Sequence, residues 1–336
     1  MSTLSNTSSV DRVAEGIHRI RIPVPFGRLG DVNCYLLQDE GGWAVIDTGL
    51  NTPDAQVMWT EAFAALDLGF ADVTRILLTH SHPDHIGLAG WMQRQTHVAG
   101  RIPAPVLLTA REQELATYWS EAADSDAPLE QLFARCGVPE RLYTHASADL
   151  DRIRQATHPH PEVVETLRFD RPLRIGSRRF EVIPTPGHSD GHAALYDAAD
   201  RRILIGDQVI QHITPTVSRW PSTEPQPLQR YLDSLAQLKT LDVAEALPGH
   251  GAVITDWTGR IGAIEQHHEV RLCRMEKAAT DGATVFDVAR TSFDMAALDP
   301  GEARFAVAET LSHLDELVRQ GRLVRGEGAV WTFSHP

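Results

Sequence analysis

Four side chains able to bind a metal lie within six residues of this chain. The segment follows the apolar run 76–78 and reads Thr79-His80-Ser81-His82-Pro83-Asp84-His85. An apolar run of this kind predicts a buried strand, so the cluster begins where a strand ends. Histidine and aspartate are costly to bury unless they are paired or bound to a metal, and zinc accepts both donor types. The cluster therefore favours a metal site over a polar loop that happens to be rich in histidine.

The residues around the cluster predict its local structure. Pro83 is expected to keep a helix from starting inside the cluster, and the next helix is expected over 86–95. Upstream, residues 11–50 alternate in the manner of a β-meander, and Asp47 follows its last strand. From the residues alone, Asp47 suits two roles equally: orienting a metal-binding histidine, or forming a plain turn.

Three later segments repeat the arrangement of a strand that ends in a residue of ligand type. His188, Asp207 and His250 each follow an apolar, strand-like run. Any one of them alone is a weak signal, because Pro-Gly-His is common in turns. Side chains at corresponding ends of neighbouring strands converge in space, so the four segments together predict one shared site.

The length of 336 residues suits one large domain and one small domain. We expect the large domain over 11–265, with a helical insertion at about 110–164 that overhangs the site and selects the substrate. Within the insertion, His158 and His160 are interpreted as a surface loop, because a proline follows each of them. Residues 266–336 change to two helices and a β-hairpin, which is the pattern of a winged helix.

Charge and composition disfavour several functions. The formal charge of −14 argues against nucleic-acid binding, which needs Lys and Arg to displace counterions. Residues 269–336 contain 8 basic and 11 acidic residues, so we expect this part to pack, dimerise or shape the site rather than to read DNA. Cys34, Cys136 and Cys273 form neither a disulfide framework nor a cysteine zinc site. No signal peptide or membrane span is evident, so a cytoplasmic protein is expected.

Taken together, the ligand-bearing motifs resemble the metallo-β-lactamase superfamily. They are Thr-His-Ser-His-Pro-Asp-His (79–85), Pro-Gly-His (186–188), Gly-Asp (206–207) and Pro-Gly-His-Gly (248–251). The resemblance is closer to the hydroxyacylglutathione-hydrolase-like and β-lactamase-like-protein-2 branch, and it covers most of 15–335 apart from the insertion. It implies an α+β fold, a four-layer αββα sandwich of two mixed sheets, with a small C-terminal winged-helix-like domain.

The resemblance also implies two divalent metal ions at one edge of the sandwich. Position by position, it assigns one ion to His80, His82 and His188, the other to Asp84, His85 and His250, a bridging role to Asp207, and support of a ligand to Asp47. Zinc is the expected metal, although imidazole and carboxylate ligands also suit iron or manganese.

This site predicts hydrolysis of a thioester, ester or lactone of a small acyl substrate by a metal-bridging hydroxide. Asp84 is the predicted catalytic residue, which orients the hydroxide and then takes its proton. A net positive site would stabilise the oxyanion of the tetrahedral intermediate. Because no ligand position holds cysteine, antibiotic hydrolysis is disfavoured. The residues do not identify the acyl group.

Three other functions remain open. A ribonuclease or other phosphodiesterase of the β-lactamase-like-protein-2 type is disfavoured by the acidic charge. A mononuclear-iron persulfide dioxygenase would differ in metal stoichiometry. A winged-helix regulator that keeps the sandwich only as a scaffold is disfavoured by the intact set of ligands. A homodimer is compatible with each of these functions.

Overall fold

The computed structural model describes residues 10–24, 30–121, 127–143, 151–152 and 154–336. Seven strands in these residues form a sheet in which they are hydrogen-bonded in chain order. The strands are β1 (Val10–Ala14), β2 (Ile17–Pro23), β3 (Asp31–Asp39), β4 (Gly42–Ile46), β5 (Val73–Leu77), β6 (Val106–Leu108) and β7 (Val164–Thr166). β1 to β4 pair antiparallel, as the predicted meander requires, and β4 to β7 pair in parallel.

A second sheet has five strands in the order β12-β11-β10-β9-β8. They are β8 (Leu173–Ile175), β9 (Arg178–Pro184), β10 (Ala193–Asp197), β11 (Arg202–Gly206) and β12 (Glu245–Pro248). β11 and β12 pair in parallel, whereas the other neighbours pair antiparallel. Both sheets are therefore mixed, as expected.

Helices cover the outer faces of the two sheets. They are α1 (Pro53–Ala65), α2 (Pro83–Ile86), α3 (Ala89–Gln95), α4 (Ala110–Glu121), α5 (Ala127–Arg135), α6 (Pro227–Leu238), α7 (Trp257–Ala278), α8 (Val285–Ser292) and α9 (Pro300–Arg319). α4 and α5 belong to the predicted insertion, of which residues 122–126, 144–150 and 153 lie outside the described part. None of the described helices has the length and apolar character needed to cross a bilayer.

The expectation that Pro83 keeps a helix out of the metal-binding loop is wrong. Pro83 is the first residue of α2, and His82 is the residue before it. A helix does not use the N–H of its first residue, and the fixed φ of proline suits that position. The helix predicted over 86–95 therefore starts earlier and is divided into α2 and α3.

Three apolar clusters separate the layers of a four-layer αββα sandwich. The first lies between the sheets, where Ile46 and Leu77 pack with Val182 and Leu195. The second lies between the seven-stranded sheet and the pair α1 and α3. The third lies between the five-stranded sheet and the pair α6 and α7. The polar ends of the strands are left at the edge of the sandwich.

The chain after α7 forms a small unit of α8, α9 and a three-stranded sheet. The strands are β13 (Ala283–Thr284), β14 (Val324–Gly326) and β15 (Thr332–Ser334), with β15 in the middle. The two helices and the hairpin predicted here are present. The expected boundary at residue 265 falls inside α7, whose buried residues run from Trp257 to Met275. Because α7 to α9 share one apolar cluster with the five-stranded sheet, the C-terminal unit is packed on the sandwich.

Candidate metal centre

All seven predicted ligands lie together at one edge of the sandwich. The segment after β5 supplies four of them, His80 and His82 before α2 and Asp84 and His85 within it, and the loops after β9, β11 and β12 supply one each. Their donor atoms form three overlapping groups, each within 4.8 Å: His80, His82 and His188; His80, His85 and Asp207; Asp84, His85 and His250. The first and third groups correspond to the two metal sites expected from the resemblance.

Asp207 lies between these two groups. Its Oδ2 is 3.8 Å from Nε2 of His188 and 3.3 Å from Nε2 of His250. Its Oδ1 is 3.4 Å from Nε2 of His85. The backbone of Gly249 approaches so closely that a Cβ there would lie 2.2 Å from Oδ1 of Asp207. The Pro-Gly-His-Gly motif thus leaves the space in which Asp207 reaches both groups.

Asp47 contacts two of the candidate ligand histidines, His85 directly and His80 through Thr79. Its Oδ2 lies 2.9 Å from Nδ1 of His85, and its Oδ1 accepts a hydrogen bond from the backbone N–H of Thr79 at 2.8 Å. The hydroxyl of Thr79 donates to Oδ2 of Asp47 at 2.8 Å and lies 3.0 Å from Nδ1 of His80. These contacts direct Nε2 of both histidines into the site. Asp47 therefore contacts His85 directly and His80 through Thr79.

Backbone carbonyls hold two further ligands in the same way. Nδ1 of His188 donates to the carbonyl of Thr216 at 2.9 Å, and Nδ1 of His250 donates to the carbonyl of Asp31 at 2.8 Å. A histidine that donates from one ring nitrogen is fixed in the tautomer whose other nitrogen accepts a metal. Both rings are therefore held with Nε2 directed into the site.

The residues present fit two divalent ions. Nε2 of His85, His188 and His250 and Oδ1 of Asp207 are buried and converge on one place, where carboxylate oxygens lie 3.3–3.8 Å from the three ring nitrogens. No hydrogen bond of good geometry satisfies these four atoms among the described residues. Metal ions would use all four atoms, and imidazole with carboxylate suits zinc, iron or manganese.

Charges within the site compensate one another. Burial disfavours charge on His250, but Asp207 and Asp84 outweigh it and raise the pKa of His250 to about 10. The same carboxylates also raise the pKa of His85 despite its burial. Burial would raise the pKa values of Asp84 and Asp207, but His85 and His250 outweigh it. They lower the pKa of Asp84 to about 2 and hold that of Asp207 below its usual range. Metal binding must therefore displace protons from the histidines.

Glu112 of α4 joins the two loops that carry the first ligand group, and the sequence did not indicate it. Its Oε2 accepts hydrogen bonds from the backbone N–H and the hydroxyl of Ser81 at 2.8 and 2.6 Å. Its Oε1 accepts from the hydroxyl of Ser189 at 2.5 Å and from the N–H of Gly191 at 2.7 Å. Ser81 lies between two ligands and Ser189 follows the third, so one carboxylate of the insertion positions both loops.

His192 is a second supporting residue that sequence reasoning did not assign. Its Nδ1 lies 2.7 Å from the hydroxyl of Thr185, and its Nε2 accepts from the backbone N–H of Asp207 at 3.2 Å. It is fully buried. Its place four residues after His188 in the same Gly-rich loop was a signal that could have identified it.

A pocket of about 160 Å³ opens beside His82 and His188. The insertion lines it with side chains that include Leu115 and Leu129, in agreement with the expected overhang. The C-terminal unit also reaches the pocket, through Phe305 at the start of α9. The pocket beside these histidines is thus shaped by parts of the chain outside the two sheets.

His158 and His160 are not among the candidate metal ligands. Their rings are 4.6 Å apart, and neither belongs to the groups of donor atoms described above. His158 is exposed. His160 is half-buried and lines the pocket, which the sequence did not predict.

The fold and the site define a metallo-hydrolase class, and the chain belongs to the metallo-beta-lactamase superfamily. The model of that superfamily matches residues 27–250. A model described as "Metallo-beta-lactamase-like, C-terminal domain" matches residues 272–336. The predicted superfamily and sandwich fold are thereby confirmed.

Several proteins are similar over most of the chain. A metallo-beta-lactamase family protein from Thermus thermophilus has 32% identity and a TM-score of 0.83, over 97% of this chain and 100% of that one. A beta-lactamase domain protein from Burkholderia ambifaria has 30% identity and a TM-score of 0.85, over 99% and 96%. The Bacillus subtilis protein named "Probable metallo-hydrolase YqjP" is 27% identical, over 90% of this chain and 92% of its own length. An atrochrysone carboxyl ACP thioesterase of Cryptosporiopsis is 22% identical over 77% of this chain and 62% of its own length.

Proposed function

We propose that this protein is a dinuclear metal-dependent hydrolase of a thioester, ester or lactone, with zinc as the metal. The observation that carries the proposal is the position of Asp207, which reaches the histidines of both ligand groups at 3.3–3.8 Å. A two-metal site of this kind is suited to hydrolysis. The thioesterase among the relatives supports an acyl substrate, and the charge of −14 argues against a nucleic acid. The assignment to the hydroxyacylglutathione-hydrolase-like branch belongs to this proposal.

When bound, two divalent ions would supply hydroxide at neutral pH and polarise the scissile carbonyl. We assign proton transfer to Asp84. Its Oδ2 lies 3.3 Å from Nε2 of His250, inside the cluster of ligand atoms. The lowered pKa of Asp84, about 2, keeps its carboxylate ionised at neutral pH, and an ionised carboxylate at this place could orient the attacking water. The apolar wall of the adjoining pocket excludes other water from the reacting carbonyl.

The ligands, the metal stoichiometry and the reaction can be tested together. Purified protein should contain close to two metal ions per chain, and His82→Ala should lose both metal and activity. His97→Ala is a matched control, since His97 is exposed and outside the site. Full activity after chelation and dialysis would refute the metal-dependent mechanism.

A panel of thioesters, lactones, phosphodiesters and single-stranded RNA distinguishes the reaction classes. We expect turnover of a thioester, ester or lactone by the zinc-loaded protein. Rapid RNA cleavage without ester turnover would instead favour a nuclease. One iron per chain together with oxygen consumption on a persulfide substrate would favour a dioxygenase.

A further inference from the structure

The pocket beside the metal centre has an apolar wall that the insertion and the C-terminal unit help to build. Its inner end is marked by His82 and His188, which belong to the first ligand group. Arg154 and Arg304 also line it, but both have interaction partners within the chain, so we assign no ligand to their charge. The apolar lining residues used below are Leu115 of α4, Leu129 of α5, Trp220 of the loop before α6, and Phe305 of α9.

Two of these side chains serve the pocket rather than the protein core. Neither Leu115 nor Phe305 is among the residues of the three apolar clusters described above. Leu115 is buried, whereas Phe305 is 43% exposed. The ring of Phe305 meets that of Trp220 edge to face, with centroids 5.3 Å apart. An apolar group bound beside these rings would remove their surface from water, which is favourable.

A backbone contact ties the loop that carries Trp220 to the C-terminal unit. The N–H of Arg219 donates to the carbonyl of Ala308 in α9 at 3.0 Å. Phe305 lies one turn earlier in the same helix, so α9 positions both aromatic rings at the pocket.

The volume of the pocket limits the group that it can hold. It measures about 160 Å³. An engineered cavity of about 150 Å³ lined by Leu, Ile and Phe binds benzene, so this pocket suits an apolar group of about one ring. A carrier thiol such as glutathione or coenzyme A is larger and charged, and burying its polar groups here would be costly. The pocket therefore suits the acyl side of a thioester better than the thiol side.

We propose that the insertion and the C-terminal unit together set the acyl specificity of this enzyme, through an apolar subsite of Leu115, Trp220 and Phe305 that holds an acyl group of about one ring. The inference rests on the proposed function, because it places the scissile carbonyl at the end of the pocket marked by His82 and His188. The C-terminal unit then contributes directly to substrate selection.

A series of N-acetylcysteamine thioesters tests the size of the subsite. We expect kcat/KM, corrected for the alkaline hydrolysis rate of each compound, to be at least tenfold higher for phenylacetyl than for acetyl or 2-naphthylacetyl. S-benzyl thioacetate places the ring on the thiol side instead. A preference for the ring that appears only in S-benzyl thioacetate would overturn the assignment to the acyl group.

A matched pair of substrates tests whether the subsite is apolar. The cyclohexylacetyl and tetrahydropyran-4-ylacetyl thioesters have nearly the same shape, are both neutral, and differ in one ring atom. We expect kcat/KM to be at least fivefold higher for the cyclohexyl compound, because the ether oxygen loses its hydration in an apolar pocket. Equal values would contradict an apolar subsite.

Truncation of the subsite should change the preferred size. In Phe305→Ala, and separately in Leu115→Ala, the ratio of kcat/KM for 2-naphthylacetyl to that for phenylacetyl should rise at least tenfold. A variant that only destabilises the fold would lower both values together. Phe169→Ala is the matched control, because Phe169 is 42% exposed and does not line the pocket. An unchanged ratio in both pocket variants would overturn the inference.

Binding separates this inference from the proposed function. Ketones in which CH2 replaces the thioester sulfur keep the shape of the substrates and cannot be hydrolysed. In calorimetry with the metal-loaded protein, the phenylacetyl ketone should bind at least tenfold more tightly than the acetyl ketone, and Phe305→Ala should reduce this difference at least threefold. If no thioester turns over but this binding pattern persists, the proposed function fails and the subsite stands. If thioesters turn over with equal kcat/KM and equal ketone binding for both acyl groups, the inference fails and the hydrolase stands.

Discussion

Replacing Glu112 with glutamine should loosen the first metal site without touching a ligand. The carboxylate of Glu112 accepts four hydrogen bonds, two from each of the loops that carry His80, His82 and His188. Glutamine keeps one acceptor oxygen and turns an NH2 group toward one loop, whose serine hydroxyl can accept from it but whose backbone N–H loses its partner. A hydrogen bond to a charged group contributes about 1.5–3 kcal/mol, so the free energy of unfolding should fall by about that amount.

The assay compares Glu112→Gln with Glu114→Gln, which makes the same change on the exposed face of the same helix. Denaturant unfolding of the metal-loaded proteins gives the stability difference, and the control should stay within about 0.5 kcal/mol of wild type. Chelator competition should show about 10–100-fold weaker binding of one metal, because residues that hold ligands affect affinity on this scale. Wild-type stability together with unchanged affinity for both metals would refute the clamping role of Glu112.

Three further predictions follow from the contacts of single residues. Asp47→Ala removes the partner of His85, so binding of one metal should weaken about 10–100-fold in chelator competition, and unchanged affinity would contradict the role of Asp47. The pKa of His250 is raised to about 10 in the metal-free protein, so its protonated ring stabilises the folded state. This stabilisation is fully present below about pH 6.5 and is lost as the pH rises through about 10. Calorimetry in buffers of different ionisation enthalpy should accordingly detect proton release on metal binding at pH 7, and no release would contradict it. Thr52→Ala removes the side chain that caps α1, which should cost about 1 kcal/mol in denaturant unfolding and leave metal content unchanged.

The convergence of the candidate ligands was predictable because the signal for each was local. His80 follows a strand of the seven-stranded sheet, whereas His188, Asp207 and His250 follow strands of the five-stranded sheet, and these strand ends meet at one edge of the sandwich. Glu112 was not predictable in this way, because a glutamate in a polar helix gives no local signal and its role depends on contacts with two distant loops. Trp220, Arg304 and Phe305 converge on the pocket only through the packing of the C-terminal unit. Pro83 misled the prediction because proline both ends helices and starts them.

The origin of the ligands gives the metal ions a mechanical role. His80 and His85 follow a strand of the seven-stranded sheet, whereas Asp207 and His250 follow strands of the five-stranded sheet. Each ion would therefore cross-link the two halves of the sandwich and close long chain loops, which removes conformational entropy from the unfolded chain. The holoprotein should resist opening along this edge as a cross-linked protein does, and loss of metal should free the two sheets to separate there first.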